Sequence, residues 1–131
     1  EKNETNILPL LTDLTNPSPG IGWQNQERLS LLERGSADTV LALALIHHLA
    51  ISNNLSFERI ATFFSKICKS LIIEFIPKND SQIQKLLLTR EDIFTYYTEV
   101  IFRTEFEKYF KIEKVSNIKD SQRKLYLMTL Q

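Results

Sequence analysis

The sequence predicts an α/β fold in which buried strands alternate with helices. Residues 40–46 form an unbroken apolar run, and residues 71–76 form a second run about 30 residues further on, a spacing typical of one βαβ unit. Continuous apolar runs are typical of strands in parallel sheets that helices cover on both faces. Between the two runs, apolar residues recur at helical spacing, namely Phe57, Ile60, Ala61, Phe64, Ile67 and Cys68.

The first third of the chain contains weaker signals. Residues 7–11 are a short apolar run containing Pro9, which predicts an edge strand or the start of a strand. Residues 15–22 hold two prolines and two glycines and predict a loop. Residues 24–34 carry leucines at helical spacing and are followed by Gly35, which predicts a helix that ends at this glycine. The central strand is then predicted over residues 39–46.

The remaining elements are marked by capping residues and a turn. Ser56 is a natural N-cap for the helix that follows the central strand. Asp80 and Thr98 predict the starts of two further helices. Residues 112–118 and 124–130 predict two strands joined as a C-terminal hairpin.

Composition excludes several classes of protein. The 131 residues suffice for one domain, and a 43% hydrophobic content supports a core. Sixteen basic and sixteen acidic residues cancel, and without a basic cluster we expect no nucleic-acid binding. No apolar run approaches the about 20 residues that span a bilayer, so we expect no membrane insertion. The single Cys68 excludes an internal disulfide and favours a reducing, cytoplasmic location.

Several motifs resemble the C-terminal part of class I S-adenosylmethionine (SAM)-dependent methyltransferases. Residues 10–14 (LLTDL) resemble the end of the third strand of that family. The fourth-strand motif of the family is similar to residues 37–40 (ADTV) together with residues 45–49 (LIHHL). Its fifth strand is similar to residues 71–75 (LIIEF). Tyr97-Thr98 with Phe102, Phe106 and Phe110 resembles the segment before the sixth strand. The segments GIGWQNQERLSLLER and EFIPKNDSQIQKLL are similar to a bacterial subgroup of nodulation-protein-like methyltransferases.

The resemblance implies a partial Rossmann-like sheet. The family has seven strands in the order 3-2-1-4-5-7-6, and residues 1–131 would supply strands 3–7, with helices on both faces and a C-terminal antiparallel hairpin. We therefore expect the last strand to lie antiparallel between the strands at 71–75 and 112–118. The Gly-rich SAM-binding part is expected upstream of Glu1, so that the chain is a truncated piece of a longer protein. An exposed sheet edge would then favour a homodimer.

The resemblance also implies a function. The parent protein would transfer a methyl group from SAM to a small molecule or a protein side chain, and this piece alone would be inactive. The alternative is a non-catalytic structural or interaction module with a degenerate half-fold.

His47 and His48 are the candidate catalytic residues. They follow the central strand, and ligands of open α/β sheets bind at the carboxyl ends of strands. Imidazole can accept a proton near neutral pH, although histidines that merely cap or pack beneath a strand are common. The sequence has no H-x-x-x-H pattern and no cysteine partner, so no metal site is predicted.

Candidate cofactor-binding residues come from the resemblance. It places Asp13 and Leu14 at the adenine of SAM, whereas an ordinary Asx turn at Asp13 is the alternative. It places Ala42 and Leu43 beside the methionine part of SAM, whereas simple core packing is the alternative.

Three residues are candidates for contact with the methyl acceptor. Trp23 can form part of a lid or can pack as a loop aromatic. Glu74 lies inside an apolar strand, so it is expected to be functional or paired, because an unpaired buried carboxylate is costly. Asn79 follows that strand, next to Asp80, whose role is predicted to be helix capping.

Overall fold

The computed structural model describes residues 6–131, and Glu1 lies outside this range. The chain divides into two compact units, Glu1–Arg34 and Gly35–Gln131. In the described part of the first, residues 6–34, the one helical element is a 3₁₀ turn, Trp23–Asn25. The second is an α/β unit built from β1 (Ala37–Ala42), a π-helical turn (His48–Ser52), α1 (Phe57–Ile67), β2 (Cys68–Phe75), α2 (Ser81–Leu87), α3 (Glu99–Glu107), β3 (Phe110–Asn117) and β4 (Lys124–Leu130).

The four strands form one open, mixed sheet in the order β1-β2-β4-β3. β1 and β2 are parallel, with Val40 opposite Leu71. β4 is antiparallel to both of its neighbours, with Tyr126 opposite Ile73 of β2. The predicted position of the last strand, between the second strand and the third, is therefore confirmed.

The three predicted helix caps are confirmed. The Ser56 hydroxyl accepts a hydrogen bond from the backbone N–H of Arg59, 3.3 Å away, at the start of α1. The Asp80 and Thr98 side chains accept equivalent bonds at the starts of α2 and α3. Each cap pairs a backbone donor that the first helical turn leaves free. The longest helix in residues 6–131 has 11 residues, and none of the helices there could cross a membrane.

An aromatic cluster joins α1 and α3 to one face of the sheet. The ring of Phe102 in α3 lies 5.1 Å from Phe75 of β2 and 5.1 Å from Tyr126 of β4, measured between ring centroids. Phe57 of α1 lies 5.7 Å from the same Phe102 ring. All four side chains are buried, so this face is the main core of the unit.

The opposite face of the sheet is only partly covered. Leu41 of β1 is 65% exposed, and three further apolar side chains on this face are half-buried, namely Ile72, Leu125 and Leu127. The register of the strands places these residues side by side. The prediction of helices on both faces is therefore wrong for this part of the sheet, because α1 and α3 pack on the same side.

The two elements predicted in the first unit are wrong. Residues 7–11 form no strand, and their side chains are exposed. Pro9 has no backbone donor, and no strand in residues 6–131 pairs with this segment. Residues 24–34 form no α-helix, because Ile21 and Arg28 pair across a tight turn in which Gln24 has a left-handed φ of 56°. Residues 6–131 therefore contain four of the five expected strands, and the one expected at residues 7–11 is not among them.

The central strand ends earlier than predicted. β1 stops at Ala42, and Ala44 adopts a left-handed backbone with φ of 49°. The amide of Ala44 turns away from the strand ladder and donates to the side chain of Glu74, at 2.6 Å. His47 and His48 therefore lie in a helical turn several residues after the strand rather than directly after its end.

Candidate functional site

Polar side chains from four segments gather at the carboxyl end of the parallel strands. They are His47 after β1, Glu74 in β2, Asp80 at the start of α2 and Arg123 before β4, and we call them the strand-end cluster. β4 runs antiparallel to β2, so the residue that precedes β4 lies at the edge where β2 ends. The topology of the sheet therefore brings Arg123 to this edge.

Arg123 binds both carboxylates of the cluster. Its Nε lies 2.7 Å from Oδ2 of Asp80 and its Nη2 lies 3.0 Å from Oδ1, which is a bidentate pair. Its Nη1 lies 3.4 Å from Oε1 of Glu74. These hydrogen bonds lower the pKa of Asp80 and raise the pKa of Arg123, chiefly because each stabilises the charged form of its partner.

Glu74 is a buried carboxylate that is fully engaged. It is 7% exposed, and its Oε2 accepts the hydrogen bond from the amide of Ala44. Its other oxygen faces Arg123. The prediction that Glu74 is paired is confirmed, and the pairing fastens the segment after β1 to β2.

His47 is a buried and neutral imidazole. It is 3% exposed, and within residues 6–131 its Nδ1 has no hydrogen-bond partner. Burial lowers the pKa of His47 to about 4, and electrostatic interactions with the neighbouring His48 and Arg123 lower it further. The carboxylates of Asp80 and Glu74 raise the pKa of His47, but by less than burial lowers it. His47 therefore carries no charge at pH 7.

His48 differs from His47 in exposure. Its side chain lies at the surface, and its ring centroid is 4.1 Å from that of His47 with the ring planes tilted by 40°. The sequence proposed both histidines as catalytic, and the structure places one inside and one outside. Only His47 has a nitrogen that is both buried and unpaired among the described residues.

Asn79 and Asp80 tie the end of β2 to the hairpin. The Asn79 side-chain amide donates to Oε1 of Gln122, 2.6 Å away, in the loop before β4. Asp80 accepts from the backbone N–H of Gln82 at 2.9 Å, so its predicted capping role is confirmed. Contact of Asn79 with an acceptor stays a prediction.

Ala42 and Leu43 lie where β1 ends. Ala42 is buried on the helix-covered face, as core packing would require, while Leu43 is exposed. Their assignment to the methionine part of SAM stays a prediction.

The other three predicted residues belong to the first unit. The carboxylate of Asp13 accepts from the backbone N–H and the hydroxyl of Thr15, at 2.9 and 2.7 Å, which is the Asx turn that the sequence left open. The Thr15 hydroxyl bond is the main reason that the pKa of Asp13 is lowered. Leu14 is half-buried, and Trp23 is 78% exposed on its tight turn. Their roles at adenine and acceptor stay predictions.

Sequence reasoning missed Arg123. It was predicted only as part of the hairpin turn, and its contact with Glu74 spans 49 positions along the chain. The available signal was Glu74 itself, because a carboxylate in an apolar strand requires a cation or several donors.

Residues 6–131 contain no group of three or more His, Cys, Asp or Glu side chains arranged to hold a metal ion.

Comparison with known proteins gives one informative similarity. The chain is 40% identical over 121 residues to the nodulation protein NoeA of Rhizobium meliloti (strain 1021). The match covers 92% of this chain but only 25% of the relative, so the chain is homologous to about a quarter of that protein. No protein-family model matches the chain, and no solved structure matches it.

Proposed function

We propose that this chain is part of a nodulation-related, SAM-dependent methyltransferase. The observation that carries the proposal is the sheet order β1-β2-β4-β3, with an antiparallel last strand inserted beside a parallel pair. This is the order in which strands 4, 5, 7 and 6 follow one another in the class I methyltransferases that the sequence resembles. The similarity to a nodulation protein supports the biological setting.

The charge of the strand-end cluster suits the proposed cofactor. Glu74 and Asp80 are carboxylates and Arg123 is a guanidinium, so with neutral His47 the cluster carries a net charge of −1. When bound, SAM supplies an electrophilic methyl group on a positively charged sulfur. A net negative environment with low water access favours such a cation.

Separate residues would serve the cofactor and the acceptor. In the second unit, Ala42 and Leu43 would lie beside the methionine part of SAM. The acceptor would meet Glu74, Asn79 and the two histidines of the same unit.

His47 is suited to orienting the acceptor. Methyl transfer depends mainly on alignment and on exclusion of water. A buried imidazole with a pKa near 4 stays neutral at pH 7, and it is a hydrogen-bond acceptor more than a strong base. His47 would therefore hold an N–H or O–H group of the acceptor in line, while Glu74 and Arg123 hold the surrounding backbone.

The rival function is a non-catalytic interaction module. The pairing among Glu74, Asp80 and Arg123, together with that between Asn79 and Gln122, favours this rival, because residues that satisfy one another can serve structure alone. The unpaired Nδ1 of His47 favours the enzyme, because a buried polar atom without a partner costs free energy that a role in binding would justify.

Calorimetric titration of the full-length gene product with SAM and S-adenosylhomocysteine tests the proposal. We expect dissociation constants in the micromolar range, about −8 kcal/mol, for both compounds. Adenosine without the methionine part is the control ligand and should bind more weakly. A folded full-length protein with no affinity better than about 1 mM would refute the methyltransferase and favour the interaction module.

The histidine variants test the assignment within that protein. His47→Gln should lower methyl transfer more than it changes the dissociation constant of SAM, whereas His48→Gln, at the exposed neighbour, is the matched comparison. If both variants keep full activity from about pH 6 to 9, a range that spans a typical imidazole titration, the histidines are structural.

A further inference from the structure

The first unit contains a small cavity lined by two arginines. Its volume is about 40 Å³, and its walls include Arg28, Arg34, Thr12, Ser18 and Leu31. A single water needs roughly 10–15 Å³ measured in this way, so the space suits a group of about three heavy atoms. A carboxylate or the oxygens of one phosphate have this size.

The two guanidinium groups have no ion-pair partner in residues 6–131. They are also the only basic side chains in residues 6–34, and both line the same cavity. Both side chains are exposed, so water screens the repulsion between their charges, and an anion bound in the cavity between them would be attracted by both.

Residues 6–34 contain three carboxylates, Asp13, Glu27 and Glu33, and two of them are bound in local turns. Asp13 is bound by Thr15, and Glu33 accepts from the amide and the hydroxyl of Ser30 at 2.9 and 2.6 Å. Among residues 6–131, no carboxylate lines the cavity. Within the described part of the chain the two arginines are therefore available to a ligand.

Local structure fixes the backbone that carries both arginines at the cavity. The backbone of Arg28 pairs with Ile21 through hydrogen bonds of 2.9 and 3.1 Å. The Ser30–Glu33 capping box holds the turn that ends at Arg34, and Nε of Arg34 donates to the carbonyl of Leu29 at 3.4 Å. A site built on such fixed turns loses little entropy when it binds.

We propose that Arg28 and Arg34 form a binding site for one oxyanion group, a carboxylate or a phosphate, of a small molecule. Guanidinium groups bind both anions through paired N–H donors, which is why two of them can share one group. This site is independent of the methyltransferase proposal, since it uses neither the strand-end cluster nor SAM.

Nuclear magnetic resonance of the ¹⁵N-labelled chain tests the site. The Nε–Hε signals of the arginines are followed while sodium phosphate, or separately sodium acetate, replaces chloride at constant ionic strength. We expect saturable shifts at Arg28 and Arg34 with a dissociation constant of about 1–10 mM, which is usual for a single small anion. The stronger of the two anions identifies the group as phosphate or carboxylate.

Variants distinguish a specific anion-binding site from non-specific electrostatic attraction of anions to arginine side chains. Arg28→Gln or Arg34→Gln should weaken binding about tenfold, the loss of one charge-assisted contact. Arg59→Gln removes an exposed arginine of α1 and is the matched control, which should leave binding unchanged. Where a glutamine variant loses its dispersed spectrum, Arg28→Lys keeps the charge and should still weaken binding. Linear, unsaturable shifts at Arg28 and Arg34, equal to those of Arg59, would overturn the proposal.

Discussion

Replacing Arg123 with methionine should destabilise the second unit by about 2–3 kcal/mol. Removal of one partner from a buried ion pair costs about 3–5 kcal/mol. The side chain of Arg123 is 24% exposed, and Glu74 and Asp80 each keep a backbone donor, so the cost lies below that range. The loss arises mainly because Glu74, which is 7% exposed, would remain charged without a cation.

Urea denaturation followed by circular dichroism measures this cost. For a unit of this size a loss of 2–3 kcal/mol lowers the urea midpoint by about 1–2 M. Circular dichroism is preferred to fluorescence because the single tryptophan, Trp23, belongs to the other unit.

Two further variants make the test specific. Arg103→Met removes an exposed pair with Glu107, 3.6 Å apart, and should cost about 0.5 kcal/mol or less. Adding Glu74→Gln to Arg123→Met should recover about 1 kcal/mol, because a neutral amide needs no cation. The reasoning is refuted if Arg123→Met costs no more than Arg103→Met, or if the effects of the two cluster substitutions simply add.

Three other outcomes are expected. The free energy of unfolding should rise by up to about 3 kcal/mol from pH 4 to 6.5, because His47 binds a proton in this range in the unfolded chain but not in the folded one. In urea titrations, His47→Gln should remove this pH dependence and His48→Gln should keep it. Ser56→Ala should cost about 1 kcal/mol through loss of the α1 cap, and Ser56→Asp should not, in the same assay. Light scattering at micromolar concentration should show a dimer, since β1 pairs on one side only within residues 6–131, and a monomer would contradict this.

Much of the second unit could be predicted because its signals are local. The apolar periodicity of α1 and its Ser56 cap lie within a dozen residues, and so do the strands of the hairpin. The end of β1 could not be predicted, because the turn at Ala44 depends on a hydrogen bond to Glu74, 30 positions away.

The first unit shows where periodicity misleads. Leu29 and Leu32 have helical spacing, but the pairing of Ile21 with Arg28 fixes a different backbone before a helix can begin. Some residues of the candidate site could likewise be identified from the sequence, and others could not. The sequence indicates that Glu74 is paired or functional, because burying an unpaired carboxylate costs free energy. It does not indicate Arg123 as the partner, because no residue near Arg123 in the sequence points to its contacts with Glu74 and Asp80.

The antiparallel insertion of β4 explains both the fold and the charge of the candidate site. In an all-parallel sheet the residue before a strand lies at the amino edge, away from the edge where ligands bind. Here Lys124, the first residue of β4, is opposite Phe75, the last residue of β2, so Arg123 reaches Glu74 and Asp80. Without this cation the two carboxylates would repel each other beside a neutral His47. The strand order that supports the methyltransferase proposal is therefore also what allows two carboxylates to be buried at this edge with a net charge of only −1.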